Sequence, residues 1–381
     1  HPNEETQAQE NGSLLWIAAV AEPREMLPWI RGWGGDVEAL EPKELREALI
    51  KETRKMALLY EVGDVEAPLL YQQLWAKTKR RSGATHPLVC HMIDVGQVAL
   101  TLWQTVLTDG FRNEIADVLG LDVANAGRLI AFWAALHDLG KATPAFQRKY
   151  SPAQVTLSEA GLPFPKSYSK EPFYHGTATT YLLPELLTAE TNIPRRWRKG
   201  LASAVGGHHG AWPTPLDVQA LKPYRLGDGK WEEVRVALVQ ALKEIFTPDM
   251  PTEARVPRKT RNALWTLLSG LTSVADWIGS MERYFPFVDL PIDLSAYAQR
   301  AEEQAHRSLL DLHWTDWSPP MTDRTFTELF NVAGPRPMQA QVIELAEQLA
   351  QPSLVIIEAP TGVGKTEAAL YLADHWARTL Q

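Results

Sequence analysis

Residues 132–147 read FWAALHDLGKATPAFQ, and they hold the most informative motif of the sequence. An apolar helical run ends at the pair His137 and Asp138, and Gly140 and Lys141 follow directly. An imidazole and a carboxylate side by side at a helix end can chelate one metal ion, and the carboxylate can bridge to a second. Chance or a surface turn explains a lone His-Asp pair about as often as not, so the rest of the sequence decides its meaning.

Further residues of metal-binding type lie on either side of this motif. They are His91, His175, His208, His209 and Asp276. His91 opens a predicted amphipathic helix, in which Val95 lies one turn along the same face. Asp276 lies in the apolar helix LLSGLTSVADWIGS, where a carboxylate is costly unless a metal ion or a nearby arginine pairs with it. Seven such residues in this order predict a metal centre.

His86 competes with His91 for a place in this set, because it lies only five residues earlier. We assign His91, since the helical valine spacing follows it, and we predict that His86, directly before Pro87, lies in a loop. The single cysteine, Cys90, is predicted to be a small buried residue and not a ligand. One cysteine also excludes an intramolecular disulfide and favours a reducing cytoplasm.

Composition narrows the class of protein. A hydrophobic content of 45% over 381 residues is that of an ordinary globular protein, and the length favours two or three domains. No stretch approaches the roughly 18 uncharged apolar residues of a membrane helix, and the polar N-terminus does not read as a signal peptide. We therefore expect a cytoplasmic protein without membrane contact.

The net charge of −8 means that any contact with DNA must come from local basic clusters. Three clusters are candidates, at 77–81, 195–199 and 255–261. The second carries Trp197 between cations, as single-strand binders often do. Solvated helix faces account for such runs more often, so the clusters are weak predictors of DNA binding.

The pattern of elements divides the chain into parts at 1–70, 71–320 and 321–381. We predict a mainly α protein, with a central helical bundle, a small α+β segment before it and an incomplete α/β unit after it. The breaks are a linker at 61–68 and the stretch Ser318-Pro319-Pro320. Other predicted elements are strands at Leu14–Val20, Asp36–Leu40 and Ser353–Glu358, and helices at Glu22–Trp33, Pro42–Tyr60, Leu264–Ile278 (apolar nearly all round, hence central) and Lys365–Leu380.

A phosphate-binding loop lies in the third part. The stretch APTGVGKT (359–366) follows a predicted strand and opens a helix, which is the context of a Walker A motif. In such a loop Thr361, Gly362 and Gly364 shape the backbone around the phosphates, Lys365 reaches the β- and γ-phosphates, and Thr366 binds Mg²⁺. We expect ATP and Mg²⁺ here. The sequence ends one helix later, before any acidic Walker B strand, so we expect no ATP turnover by this chain.

The order H…HD-x-G-K…H…HH…D resembles the HD phosphohydrolase superfamily. In finer detail the chain resembles the nuclease-helicase of type I CRISPR systems, which the Cascade surveillance complex recruits to degrade DNA. This resemblance spans about residues 74–381 and rests on LWAKT, HPLVCHMIDVGQVA, FWAALHDLGKATPAFQ, YHGTA, GGHHG, SVADWIGS, PRPMQAQVI and IIEAPTGVGKTEAAL. Residues 25–60 resemble about half of the C-terminal module of WYL-type transcriptional regulators, without their DNA-binding helices.

The resemblance implies a role for each candidate residue. One divalent transition metal ion (Mn, Fe, Ni, Co or Zn) would be held by His91, His137, Asp138 and Asp276. Asp138 would bridge to a second ion, whose other ligands would be His175, His208 and His209. Lys141 would face the scissile phosphate, and Gln339 would read adenine, as in superfamily 2 helicases.

The expected function is therefore a metal-dependent nuclease that prefers single-stranded DNA, with Cascade and ATP as partners of a longer nuclease-helicase. An HD-family nucleotidase or phosphodiesterase is one alternative, but only a polymeric substrate needs an attached motor. A non-catalytic binding remnant is the other alternative, and the complete set of ligand-type residues argues against it.

Overall fold

The structure is a computed structural model and describes residues 4–8, 14–20, 22–59, 69–79, 83–166, 171–191, 193–251, 256–315, 324–349, 351 and 353–379. Within these ranges the chain is mainly helical and has two two-stranded antiparallel sheets, which confirms the predicted fold class. No helix in them is long and apolar enough to cross a lipid bilayer. The predicted linker at 61–68 and the predicted break at 318–320 lie outside the described residues.

The N-terminal unit pairs strand β1 (Glu4–Ala8) with strand β2 (Leu14–Ala18) and continues into helices α1 (Leu27–Trp33) and α2 (Lys43–Leu59). Strand β2 and both helices lie where the sequence predicts them. The strand predicted at Asp36–Leu40 is wrong, because a 3-10 turn ends at Asp36 and the next residues pair with no strand. Strand β2 takes its partner from the polar N-terminal segment instead.

The central unit begins with antiparallel strands β3 (Trp75–Thr78) and β4 (Thr85–Pro87). Its helices are α3 (Leu88–Thr105), α4 (Asp109–Leu119), α5 (Val123–Ala135), α6 (Pro144–Gln147), α7 (Ser151–Glu159), α8 (His175–Glu190), α9 (Arg195–Gly206), α10 (Pro215–Ala220), α11 (Pro223–Leu226), α12 (Lys230–Phe246), α13 (Arg258–Gly279) and α14 (Leu294–Asp311). A 3-10 turn at Leu136–Lys141 continues α5 and is called the HD turn below.

Helix α3 is the centre of this bundle. It packs against α5, α13 and α14, and every side chain from Leu88 to Ala99 is buried, so the helix predicted to be amphipathic is enclosed on all sides. Helix α13, predicted to be central, buries only one side. Its Leu268 is fully buried whereas Trp277 is 65% exposed. The prediction was wrong because the apolar pattern counts Trp277 as a core residue although it faces solvent.

The C-terminal unit has a small core of its own, formed by α15 (Phe326–Phe330), α16 (Pro337–Gln348) and α17 (Lys365–Thr379). Helix α17 confirms the predicted helix. The strand predicted at Ser353–Glu358 is not formed, because an isolated strand has no neighbour to complete its backbone hydrogen bonds. Leu354 and Ile356 are accordingly 89% and 76% exposed.

Candidate metal centre

The HD turn is shaped by a contact with helix α8. The Thr179 hydroxyl donates a hydrogen bond to the His137 carbonyl at 2.9 Å and accepts one from the Gly140 N–H at 2.8 Å. A Cβ on Gly140 would overlap the backbone of His175 and Thr179, so only glycine allows α8 to come this close. This contact brings His175, the first residue of α8, beside the HD motif.

Two buried polar side chains hold the backbone next to Lys141. The Gln147 amide donates to the carbonyls of Lys141 and Trp75, each at 2.9 Å. The Arg235 guanidinium donates to the Ala142 carbonyl at 3.2 Å and to two carbonyls where α11 joins α12, at 2.8 and 2.9 Å. Burial lowers the pKa of Arg235 to about 10, so it stays charged at neutral pH, and carbonyl dipoles satisfy its donors.

Asp138 lies where the candidate ligands converge. Its Oδ2 is 3.3 Å from Nε2 of His91 and 3.4 Å from Nε2 of His137. Its Oδ1 is 3.1 Å from Nε2 of His175 and 3.9 Å from Nε2 of His208. The two oxygens of one carboxylate therefore face two different pairs of histidines, which is the arrangement that a bridging ligand needs.

Lys141 lies three residues after Asp138 in the HD turn, and its Nζ is 2.5 Å from Oδ2 of Asp138. Burial by itself would raise the pKa of the Asp138 carboxyl, but the charges of Lys141 and His137 hold it well below its usual range. The carboxylate is thus ionised and can act as a ligand at neutral pH.

Asp276 reaches the same place from helix α13. Its Oδ1 is 3.2 Å from Nε2 of His91 and 3.7 Å from Nε2 of His137, and Ser280 donates a hydrogen bond to it at 3.1 Å. No lysine or arginine among the described residues lies within 4.0 Å of its carboxylate, so the alternative of an ion pair with arginine is not supported. Burial would raise the pKa of Asp276, but His137 and His91 hold it far below its usual range.

The orientation of two histidine rings is fixed by backbone carbonyls. Nδ1 of His137 lies 3.0 Å from the Ala134 carbonyl, and Nδ1 of His208 lies 2.7 Å from the Val205 carbonyl. Because a carbonyl only accepts, each Nδ1 donates its proton to a carbonyl and each ring presents Nε2 to the cluster. Burial lowers the pKa of His208 to about 3, so that ring is neutral at pH 7.

The side of the cluster near α8 and α9 opens to solvent. His209 is exposed, and its Nε2 lies 3.0 Å from Nε2 of His175. Helices α8 and α9 cross at Gly176 and Gly206, where a Cβ on either glycine would overlap the carbonyl of the other. Two glycines thus set the distance between the helices that carry His175 and lead to His209.

The donor set fits divalent cations. Three groups bring their ligand atoms within 4.8 Å of one another: His175 with His208 and His209; His91 with His137 and Asp138; and His137 with His208 and Asp276. Nε2 of His137, Nε2 of His208 and Oδ1 of Asp138 are buried without a hydrogen-bond partner among the described residues, whereas Oδ2 of Asp138 is paired with Lys141. Buried polar atoms of this kind require a partner, and nitrogen with oxygen donors suits transition metals.

All seven predicted ligands and Lys141 come together, whereas His86 does not join them. The prediction that His86 lies in a loop is wrong, since it is a buried residue of β4. Its burial is stabilised by Asp94, whose Oδ2 lies 3.0 Å from Nε2 of His86, and by Phe287, on which the His86 ring stacks. The Tyr297 hydroxyl donates to Oδ1 of Asp94 at 2.8 Å. Sequence reasoning missed Asp94, although a carboxylate within an apolar helix is the same signal that singled out Asp276.

The basic clusters predicted from the sequence differ in burial and in how much of each the structure describes. In the first, Lys77 and Lys79 are described, and Lys77 is partly buried near the metal centre. In the second, Trp197 is fully buried in the main core, so the prediction that it resembles a base-stacking residue is wrong. Arg80, Arg81 and Arg255 lie outside the described residues.

The phosphate-binding loop borders a cavity of about 590 Å³, whose lining includes Gln339, Thr361, Gly362, Gly364, Lys365 and Thr366. The Gln339 amide donates to the Gly364 carbonyl at 3.0 Å. Lys365 Nζ donates to the carbonyls of Ala359 at 2.6 Å and Pro360 at 3.0 Å. The predicted nucleotide residues therefore share one cavity, and the Lys365 side chain is hydrogen-bonded to carbonyls of its own loop.

Comparison with known proteins gives two matching family models. The model described as Cas3, HD domain, matches residues 75–285. A WCX domain model matches residues 2–57, in agreement with the resemblance predicted for the N-terminal segment.

The chain is 33% identical over 302 residues to the CRISPR-associated endonuclease/helicase Cas3 of Thermus thermophilus, covering 78% of this chain and 32% of that protein. It is 30% identical over 336 residues to the Escherichia coli protein of the same name, covering 78% and 36%. A solved structure of a CRISPR-associated protein matches with a TM-score of 0.60 at 38% identity, covering 82% of this chain and 34% of that one. T. fusca Cas3 with ATP matches with a TM-score of 0.54 at 30% identity, covering 81% and 34%.

The chain therefore spans about a third of the length of these relatives. The Cas3 HD-domain model matches more than half of the chain, and it includes the HD turn and each of the seven candidate ligands. This chain belongs to the Cas3 HD domain family.

Proposed function

We propose that this chain is a metal-dependent nuclease that hydrolyses phosphodiester bonds in single-stranded DNA at the His–Asp centre. The observation that carries the proposal is the convergence of candidate ligand atoms, among which Nε2 of His137, Nε2 of His208 and Oδ1 of Asp138 are buried without a hydrogen-bond partner among the described residues. A fold does not keep such atoms together for stability, because each costs about 1–3 kcal/mol when left unsatisfied. Membership of the Cas3 HD domain family supports the same conclusion.

The ligand assignment is also a proposal. The first ion would be held by His91, His137, Asp138 and Asp276. The second would share Asp138 and be held by His175, His208 and His209. The distances from the two oxygens of Asp138 to His91 and His175, 3.3 and 3.1 Å, support a carboxylate shared by both halves.

Two such ions generate hydroxide near neutral pH and neutralise charge on the attacking and leaving oxygens of a phosphodiester. The protein's own part is to fix the ligands and to supply further charge. Carbonyl hydrogen bonds to His137 and His208 keep both Nε2 atoms aimed into the cluster. Lys141, held beside Asp138, places a positive charge where charge develops on the phosphate. The exposed edge at His209 gives a strand its route of entry.

The proposal extends to the longer protein, with domains at 1–70, 71–320 and 321–381. In it the nuclease would be coupled to an ATP-dependent helicase, and the Walker A cavity would hold ATP and Mg²⁺ through Lys365 and Thr366. The partner would be a Cascade-type CRISPR surveillance complex. Family membership and the cavity that Gln339 shares with the phosphate-binding loop support this extension.

The experiment incubates the purified chain, stripped of metal and reloaded with Mn²⁺ or Ni²⁺, with circular single-stranded DNA. Relaxed duplex DNA and bis(p-nitrophenyl) phosphate are tested in parallel. We expect cleavage of the circle without ATP, and much slower cleavage of the duplex. Cleavage of the small diester alone would favour the phosphodiesterase alternative, and inactivity on all three substrates with bound metal would overturn the proposal.

A further inference from the structure

Lys77 lies on strand β3. In sequence it comes well before the HD motif, but in space it lies close to the metal centre. Its Nζ donates a hydrogen bond at 3.3 Å to the carbonyl of Gly279, the last residue of the helix that carries Asp276. Its side chain is partly buried, and strand β3 packs directly against the HD turn. Lys77 therefore approaches the cluster from an element that contributes no candidate ligand.

The strand that carries Lys77 is fixed relative to Lys141. The side chain of Gln147 donates to the carbonyls of Trp75 and Lys141 and accepts a hydrogen bond from the Trp75 N–H at 3.1 Å. The Trp75 indole in turn donates to the Gln147 carbonyl at 3.0 Å. One buried glutamine thus ties β3 to the end of the HD turn. Lys77 and Lys141 are therefore carried by segments whose backbones are held at a fixed distance from each other.

The charges around Lys77 are unusual for a lysine on a sheet edge. Burial lowers the pKa of Lys77, while the carboxylates of Asp276 and Asp94 favour its charged form. Yet no carboxylate among the described residues lies within 4.0 Å of its Nζ, and among those residues it donates to the Gly279 carbonyl alone. An ammonium has three donors, so two remain for an acceptor from outside the protein.

We propose that Lys77 is a second phosphate-binding cation of the nuclease centre, which takes an oxygen of the DNA backbone beside the phosphate that Lys141 faces. This inference rests on the proposed function. A phosphate oxygen would satisfy the donors of Lys77 and offset its partial burial. The competing explanation is that Lys77 only anchors β3 to the end of α13 through the Gly279 carbonyl.

Single-turnover cleavage of a short single-stranded oligodeoxynucleotide by the Mn²⁺-loaded protein separates these roles. The half-saturating DNA concentration is measured between 50 and 200 mM salt for wild type, Lys77→Gln and Lys77→Arg. Glutamine keeps an N–H donor for Gly279 but removes the charge. We expect Lys77→Gln to raise half-saturation about tenfold and to reduce the slope of log affinity against log salt by about 0.7, the value for one phosphate contact on a single strand. Lys77→Arg should keep the wild-type slope.

Lys79→Gln is the matched control, because Lys79 follows on the same segment but is paired with Glu282. It should leave both half-saturation and slope unchanged. If Lys77→Gln retains the wild-type slope, or lowers only the melting temperature or the metal content, Lys77 is an anchor and the inference is wrong. If the wild-type chain itself fails to bind or cut DNA, the proposed function fails first, and this inference fails with it.

Discussion

Oδ1 of Asp138 lies 3.1 Å from Nε2 of His175, although the first residue belongs to the HD turn and the second begins helix α8. The other oxygen of the same carboxylate faces His91, on helix α3. A single aspartate therefore lies between candidate ligands from two other elements. Its replacement should affect both halves of the centre and not one alone.

Asp138→Asn removes the shared charge and one of the two ligand oxygens. We expect the bound metal, measured by elemental analysis, to fall from about two equivalents to one or fewer, and cleavage to slow by ~10³ or more. Asp217→Asn is the control, since Asp217 only caps the short helix α10 on the surface. Two equivalents of metal retained in Asp138→Asn would rule out the bridging role.

The residues that come together at the candidate centre could be singled out from the sequence because each carries its chemistry in its side chain. Imidazoles and carboxylates are rare within apolar helices, so His137, Asp138 and Asp276 signal a metal centre even before their distances are known. Helix boundaries near the site were also predictable, since α5 and α17 end or begin at sequence-local signals. The apolar run before His137 and the loop before Lys365 are both visible in the sequence.

The residues that hold the site in shape were not predictable. Thr179 and Arg235 bond to backbone carbonyls 42 and 93 residues away, and a carbonyl has no identity in the sequence. The burial of His86 depends on its contact with Asp94, which in turn accepts a hydrogen bond from Tyr297. Tyr297 lies 203 residues after Asp94, and no local sequence pattern predicts a contact over that separation. Pairing of β1 with β2 was missed for the same reason.

Tyr297→Phe tests the buried layer behind His91. The change removes a hydroxyl that donates to the buried Asp94 carboxylate, so we expect the free energy of unfolding to fall by about 1.5–3 kcal/mol. Metal stoichiometry should not change, because Tyr297 contacts no candidate ligand through its hydroxyl. Urea denaturation and elemental analysis measure the two quantities.

Tyr284→Phe is the control for Tyr297→Phe. The Tyr284 hydroxyl is also buried, but it has no hydrogen-bond partner among the described residues. Its removal should be neutral or slightly stabilising. Equal destabilisation by the two changes would show that the bond to Asp94 contributes nothing specific.

Gly140→Ala tests the close approach of helix α8 to the HD turn. An added Cβ would overlap the backbone of His175 and Thr179, so α8 must move. We expect a loss of about 1–3 kcal/mol in the free energy of unfolding, together with weaker binding of the metal ion near His175. The control is Gly270→Ala on an exposed side of α13, where nothing lies within 4 Å of the added carbon. That change should gain about 0.5–1 kcal/mol, as expected for alanine in a helix.

The final prediction concerns pH. Burial would lower the pKa of His137, but the charges of Asp138 and Asp276 raise it to about 9, so the metal-free centre holds a proton there at pH 7. Nε2 of His208 carries no proton at pH 7, because the pKa of that ring is about 3. A metal ion that binds Nε2 of His137 must displace that proton, and this requirement disappears only above pH 9.

Metal affinity should therefore rise about tenfold for each pH unit between 7 and 8, with one proton released per centre. Affinity rises with pH because the proton and the metal ion compete for Nε2 of His137. As the pH approaches 9, fewer molecules carry that proton, so less free energy is needed to displace it. Calorimetric titration with Mn²⁺ in two buffers of different ionisation enthalpy counts the released protons. An affinity that stays constant over this range, with no proton release, would show that His137 is neutral without metal, and that the carboxylates of Asp138 and Asp276 do not control its charge.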